Sequence, residues 1–490
     1  MKIQTIILQR WRLFLWLVIP LVSLLMHGPL FNDDLSGVHM WRQTETASNV
    51  YNFYRLDDPI TDPRVFHLDF QPNGRKRMEF PVMQYAMAVG YRIFGEEVWV
   101  LRGISWGLAI LGIWGVFFLI LALFRDRWTA LLGAWCYAFS PVLFYYAINP
   151  LPDNLSLTAG VWGLAFFLRW YRTRGYGWLW LSAVALMFST LAKLPFIVFY
   201  MLPLAFIVQD ALRTRFGNVL NNFKWGLPYL LLAAPALAWY LWVIPTWNNG
   251  VTSGILSATG EDWVEIGKIL FYTVVSTLPE LLINYAALPF FLVGMMWMWN
   301  PGFRRHRLFV PLVAWAGLIF AYYLFEVNMI ATAHDYYLFP FLPGIFLIVA
   351  AGLAKLMESQ EVWVRRMVLL IMLVLPATCG IRTYYRWQSP DKIKALYAHR
   401  EALRVAVPED ARLIVGHDLS PHIYLYTLRH FGWNFNKDVL QPDHVQRALK
   451  GGAEYYISDD RELDAHPLVV PILGEMVAEM GPWRVYGVRQ

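Results

Sequence analysis

Reactive side chain types gather in one short stretch, His39-Met40-Trp41-Arg42-Gln43-Thr44-Glu45-Thr46-Ala47, which sets an imidazole, an indole, a cation, an amide and a carboxylate side by side. Other polar groups recur where apolar runs end. Asp153 stands in Asn-Pro-Leu-Pro-Asp-Asn, Lys193 in Leu-Ala-Lys-Leu-Pro, and His334-Asp335-Tyr336-Tyr337 opens a further run. The chain has no glycine-rich phosphate loop with its Lys-Ser/Thr, no His-Glu-x-x-His and no Cys-x-x-Cys, so the common soluble-enzyme signatures are missing. Acids, a lysine and tyrosines at the ends of apolar runs suit a reaction at a membrane surface, on a substrate whose tail lies in the lipid.

The elements that position these groups follow from composition. Of 490 residues, 58% are hydrophobic and 16% charged, with a mean hydropathy of +0.41. Soluble cores do not need so many apolar side chains, so most of them face lipid, and the fold class is a polytopic α-helical membrane protein. Bilayer-length runs are expected at Leu13–Leu30, Val100–Phe124, Trp128–Tyr146, Leu155–Leu168, Trp178–Thr190, Pro195–Val208, Leu227–Ile244, Leu281–Trp299, Leu308–Leu324, Tyr336–Leu356 and Val368–Gly380. That makes about eleven transmembrane helices. Basic residues mark alternate loops: Arg10 and Arg12, Arg125 and Arg127, Arg172 and Arg174, Arg213 and Arg215, Arg304 to Arg307, and Lys355 with Arg365 and Arg366. These loops are expected to be cytoplasmic, with the N-terminus. The loop at 31–97, the turns at Asn149–Asp153 and Ala192–Pro195, the loop Pro245–Glu280, the turn Glu326–Asp335 and the C-terminus are then external. Within the first external loop, Pro81–Phe94 reads as an interfacial amphipathic helix and Thr46–Tyr54 as a second, with Glu45 near its start.

Composition changes after the last run. Charge rises and apolar runs shorten to strand length, with strands expected at Arg412–Gly416, Glu454–Ser458 and Trp483–Val488, and helices at His422–His430 and His444–Leu449. The division is therefore a transmembrane domain at 1–389 and a small C-terminal α/β domain at 390–490, an ordinary domain size. Cys136 and Cys379 both lie in apolar runs, so no disulfide framework is expected.

In its order of motifs, roughly over Leu13–Leu356, the chain resembles the lipid-dependent glycosyltransferases of the GT-C type, the superfamily of protein O-mannosyltransferases and aminoarabinose transferases. Trp41-Arg42-Gln43-Thr44-Glu45 is similar to that family's Trp-Arg-Gln-x-Asp motif in the first loop. Glu79-Phe80-Pro81 is similar to its Glu-x-Pro, Asp153 to its second acid, Lys193-Leu194-Pro195 to its Lys-x-Pro, and Tyr337-Leu338-Phe339-Pro340 to its Tyr-x-x-Pro. Two departures stand out. The first-loop acid is Glu45 where the family has Asp, which leaves Asp33 and Asp34 as alternatives. The cations precede Glu79, as Arg75, Lys76 and Arg77, where aminoarabinose transferases have a Lys after the Glu.

The resemblance implies a donor that carries its own leaving group, a polyprenyl-phosphate sugar, and an acceptor hydroxyl that loses a proton as it attacks. It assigns Glu45 as base, with Asp153 orienting the acceptor or sharing the role. Lys193, Arg75, Lys76 and Tyr337 become the phosphate-binding groups, and Arg42, Glu79, His334 and Tyr336 further substrate-binding groups. One base and one displacement imply inversion at the anomeric carbon; a retaining route would need a carboxylate nucleophile. No cofactor is required and no metal site is assigned, since His334-Asp335 supplies only two ligands, although a divalent cation stays open. Partners are the lipid-linked donor, membrane lipid and an envelope glycan, lipid or protein acceptor such as lipopolysaccharide, with no nucleic acid. The place is a bacterial inner membrane, with the C-terminal domain periplasmic. Structural readings stand beside these: Glu45 pairing with Arg42 at a helix start, Asp153 as a helix cap, Lys193 snorkelling to the interface, and Arg75-Lys76-Arg77 as a headgroup-binding run. So do two other functions, a transporter or lipid flippase, and an envelope glycan polymerase or ligase. His417-Asp418, after the first expected strand, is a polar site or a turn and helix cap.

Overall fold

The computed structural model describes residues 13–489, apart from 70, 216, 218, 248–262, 333 and 419. Arg10, Arg12 and much of the Pro245–Glu280 loop lie outside the described residues. The chain folds as two compact units, one made of Met1–Phe31 and Arg102–Arg386, the other of Asn32–Leu101 and Trp387–Gln490. The division expected from composition kept the first loop with the transmembrane domain; in the structure that loop folds with the C-terminal segment.

The first unit is helical. Among the described residues, six helices have the length and apolarity to cross a bilayer: Val98–Phe124, Leu194–Arg213, Leu220–Thr246, Trp263–Ile283, Asp335–Met357 and Val362–Trp387. Shorter apolar helices are Phe14–Leu30, Tyr176–Ala192, Tyr285–Met298 and Phe309–Phe325. The protein is a multi-pass membrane protein. Two expected elements differ. Trp263–Ile283 is helical where an external loop was expected, because Glu265, Lys268 and Glu280 break the apolar run without breaking the helix. The run Trp128–Tyr146 is split into Arg127–Ala138 and Pro141–Tyr146. Pro141 cannot continue the preceding helix, and the polar groups at the break are met locally. Asn284 Nδ2 donates to the Phe139 carbonyl at 3.1 Å and Ser140 Oγ to that of Leu282 at 2.6 Å. Such repair is what low-dielectric surroundings demand of an interrupted helix.

In the second unit a five-stranded sheet runs in the order β2-β1-β3-β5-β4, with β1 Leu413–Gly416, β2 Gly432–Phe435, β3 Tyr455–Ser458, β4 Leu473–Met480 and β5 Trp483–Val488. β1 pairs in parallel with β2 and β3, and β5 is antiparallel to β3 and β4. Helices Pro442–Lys450 and Ile423–Leu428 connect the parallel strands. The first loop is stitched onto the outer edge of β2: Gly432 N donates to Phe66 O at 2.9 Å and Leu68 N to Gly432 O at 2.8 Å. Leu68 also enters the core formed by Ile414, Trp433, Phe435 and Tyr456. An open strand edge and a buried leucine thus explain why the loop belongs to this unit. The loop carries helices Met40–Arg55 and Val82–Phe94.

Candidate active site

Helix Met40–Arg55 starts after His39, whose φ of 57° turns the chain. Glu45 therefore lies in its second turn, not at the cap, and its side chain is 6% exposed. Arg42, one turn back and on the same face, pairs through Nη1 with Glu45 Oε2 and through Nη2 with Glu79 Oε1, the latter at 2.5 Å. Gln84 Nε2 donates to the same Glu79 oxygen at 3.2 Å. Lys76 Nζ reaches Glu45 Oε1 at 2.5 Å.

Lys76 arrives on an extended segment that pairs with residues 63–65: Val65 N donates to Gly74 O and Lys76 N to Pro63 O, both at 2.9 Å. Successive side chains on such a segment point to opposite faces. Arg75 and Arg77 accordingly both turn to Asp62, Arg75 at 3.4 Å, while Lys76 turns to Glu45. Of the three expected cations in this run, only Lys76 joins the carboxylate; Arg75 does not. Asp34 pairs with Arg400.

Burial works against the Glu45 charge, but Arg42 and Lys76 outweigh it and hold the carboxyl well below its usual range. The C-terminal segment adds a residue that sequence reasoning missed. His422, just before helix Ile423–Leu428, places Nε2 3.8 Å from Glu45 Oε1 and is 4% exposed. Burial pushes its pKa well below the ordinary value, and Lys76, His67 and Arg42 add to this against the opposing pull of Glu45. Nearby, Asp418 braces the turn that leads into helix Ile423–Leu428, whose cap residue is His422: its carboxylate accepts from Ser420 N at 3.0 Å and Tyr424 N at 2.8 Å.

The first unit holds the other expected residues. Asp153 lies in the first turn of helix Pro152–Thr173, behind Pro152, and is 1% exposed. Leu151, not Asp153, is the cap residue. Lys193 ends helix Tyr176–Ala192 with extended backbone, and a tight turn, Leu194–Tyr200, follows with Pro195 near its start. Its Nζ lies 3.9 Å from Asp153 Oδ2 and 5.4 Å from the centre of the Tyr337 ring. Tyr337, Tyr336 and His334 share one tight turn; Tyr336 Oη and His334 Nδ1 are 3.0 Å apart, and the His334 and Tyr337 rings are 4.7 Å apart. Asp153, Lys193, Tyr337, Tyr336 and His334 are thus one contiguous cluster. Asp335 faces elsewhere, accepting from Tyr146 Oη and from Arg386 Nη2, each at 2.6 Å. Arg386 and Tyr146 were not expected. Among the described residues no three His, Cys, Asp or Glu side chains gather as a metal site.

Chemically, one cluster offers a carboxylate held in its basic form beside an ammonium. The other offers an acid, an ammonium and aromatic rings at helix ends. An apolar groove of about 230 Å³ lies in the same unit as the second cluster, lined among others by Phe124, Trp297, Phe303, Trp315, Ile319 and Phe341.

Residues 78–239 match the family model described as dolichyl-phosphate-mannose-protein mannosyltransferase. A search among curated proteins finds no match. Solved structures do match over nearly the whole chain. ArnT from Cupriavidus metallidurans bound to undecaprenyl phosphate is similar with a TM-score of 0.68 and 14% identity, over 97% of this chain and 98% of that one. The oligosaccharyltransferase AglB from Archaeoglobus fulgidus, in complex with an inhibitory peptide and a dolichol-phosphate, is similar with a TM-score of 0.62 and 15% identity, over 92% and 70%. The arabinofuranosyltransferase AftD from Mycobacteria gives 0.57 and 17%, over 98% of this chain and 40% of that one. The fold is that of the GT-C glycosyltransferases, with a small C-terminal sheet domain.

Proposed function

We propose that this protein is an inverting membrane glycosyltransferase that moves a sugar from a polyprenyl-phosphate carrier to a hydroxyl of an envelope acceptor, on the periplasmic face of the inner membrane. The observation that carries the reading is the Glu45 carboxylate, buried yet held ionised, with Lys76 Nζ at 2.5 Å. The acceptor oxygen attacks the anomeric carbon, the bond from that carbon to the phosphate oxygen breaks, and the acceptor proton passes to Glu45. The two electrons of the broken bond leave with the polyprenyl phosphate, where fixed cations favour the growing charge. Lys193, with Tyr337 beneath its ammonium, is assigned to that phosphate from the motifs of one unit, and Lys76 and Arg75 from the run of cations in the first loop. Asp153 orients Lys193 and the acceptor. Arg42 and Glu79 in one unit, and His334 and Tyr336 in the other, are assigned to the substrate by the same family likeness.

A carboxylate with so low a pKa is a weak base. A phosphate that draws Lys76 away from Glu45 removes one of the cations depressing it, so donor binding raises the base's proton affinity when the proton has to move. The apolar groove suits an isoprenoid: Phe341, on its wall, ends the same turn that holds Tyr337. The matches to ArnT with undecaprenyl phosphate and to AglB with a dolichol-phosphate support a polyprenyl carrier. The acceptor is an envelope glycan, lipid or protein, and no cofactor is assigned to the reaction.

The test is transfer by the purified protein in detergent, with a panel of polyprenyl-phosphate sugars and an envelope extract, followed by assignment of the product's anomeric configuration. Donor-dependent transfer with inversion is expected. A retained configuration would exclude the single displacement. No transfer with any donor, while labelled lipid crosses liposomes that hold the protein, would make it a flippase.

A further inference from the structure

We propose that His422, supplied by the C-terminal sheet domain, receives the acceptor's proton from Glu45 and passes it toward His67. The inference rests on the reading of Glu45 as the base. Three observations carry it. His422 is buried, and its Nε2 faces Glu45 Oε1 at 3.8 Å. Its other nitrogen, Nδ1, is buried with no hydrogen-bond partner among the described residues, an arrangement that costs stability unless it serves a purpose. The next ring is another imidazole: His67 stands edge-on to His422 with centroids 6.1 Å apart, and its Nε2 lies 3.1 Å from Asp69 Oδ2. The Asp69 side chain is 28% exposed, so titratable groups lead from the enclosed carboxylate to the surface.

The charges around His422 set the direction of transfer. Glu45 and Arg42 face it from helix Met40–Arg55, and Lys76 and His67 from the loop. With Arg42 and Lys76 beside it, a protonated Glu45 is a strong acid and sheds its proton. A neutral imidazole is the neighbour able to accept it, and Glu45, ionised again, then stabilises the imidazolium. Burial keeps His422 neutral between turnovers, ready to accept. In balance, the O–H bond of protonated Glu45 breaks and an N–H bond forms at Nε2. The proton on Nδ1 leaves toward His67 and Asp69, which leaves the neutral Nε2–H tautomer, and tautomer exchange through solvent frees Nε2 again before the next turnover. His422 is a positioning and relay residue, acting through Glu45.

The test measures kcat and donor KM for wild type, His422→Gln and His422→Ala in the detergent assay with polyprenyl-phosphate sugar, adding imidazoles of graded pKa to the alanine variant. A relay predicts that His422→Gln, which keeps bulk and hydrogen bonding but takes up no proton, loses about tenfold or more in kcat, at the low end of proton-transfer effects, with donor KM within about twofold of wild type. It also predicts that His422→Ala is rescued in the order of the added base's pKa, an order that mere filling of the cavity does not produce. Wild-type kcat in His422→Gln overturns the proposal. So does a loss in both variants that no imidazole restores, which would leave His422 a packing residue. If wild type transfers nothing, or Glu45→Gln transfers as wild type does, the fault lies with the functional reading and not with His422.

Discussion

Glu45 is held by two cations that compete with its own burial, and this balance sets how the protein should respond to pH. A carboxyl with a depressed pKa stays ionised into acid, so the acid limb of the kcat/KM profile should lie below the ordinary glutamate range. Removing Lys76 takes away a cation, raises the carboxyl's pKa and moves that limb to higher pH. Lys76→Gln should therefore lower transfer and shift the acid limb upward; a limb that stays in place would mean that Lys76 does not govern Glu45. Much at this scale was legible in the sequence. Asp153, Lys193 and Tyr337 stand in short motifs at the ends of apolar runs, where a charged side chain needs a reason, and Glu45 stands in a motif of the first loop, while Lys76 was expected with Arg75 from a run of cations. His422 and Arg386 were not legible: each meets its partner across a long stretch of chain, and an isolated His or Arg carries no local pattern. That only Lys76 among three neighbouring cations reaches Glu45 depends on the extended backbone of residues 75–77, which nothing in the run Arg-Lys-Arg announces.

Elements position these groups through a few tight contacts, and glycine is required at two of them. Gly74 turns the hairpin that presents Lys76, with φ of +72°, and a Cβ there would lie 2.4 Å from the Val65 carbonyl oxygen. Gly74→Val should cost about 1–2 kcal/mol for the left-handed backbone alone, and the displaced Lys76 should lower transfer as well as the melting temperature. Wild-type transfer from this variant would show that the hairpin does not place Lys76. Gly352 lets helix Leu342–Met357 approach helix Leu288–Met298, since a Cβ there would fall 1.9 Å from the Phe290 carbonyl oxygen. Gly352→Leu should destabilise by about 1–3 kcal/mol or more as an overpacked contact, read as a lower melting temperature in detergent; an unchanged value would contradict the close approach. From sequence, the interfacial helix Val82–Phe94 and strands β1, β3 and β5 were visible as patterned runs. β2 and β4 were not. Gly-Trp-Asn-Phe is too short to show a period, and in β4, Leu-Gly-Glu-Met-Val-Ala-Glu-Met, the apolar residues do not alternate with polar ones.

At the scale of the molecule, composition alone established a polytopic membrane protein, because 58% hydrophobic residues exceed what any soluble core of this size needs. It did not reveal that Asn32–Leu101 folds with Trp387–Gln490, through contacts that include two backbone hydrogen bonds at Gly432, the burial of Leu68 and the Asp34–Arg400 ion pair. Nor did it show the helix Trp263–Ile283, hidden by its charged residues. The fold sets a C-terminal histidine beside the first-loop carboxylate within one unit, so the sheet domain takes part in the proposed chemistry. All of this turns on Glu45. The most direct measurement is single-turnover sugar transfer from a polyprenyl-phosphate donor by wild type and Glu45→Gln, with donor binding and melting temperature checked on both proteins. A folded variant that binds donor and transfers about 10²–10⁴-fold more slowly is expected, the loss for a missing general base. Transfer at the wild-type rate would contradict Glu45 as the base.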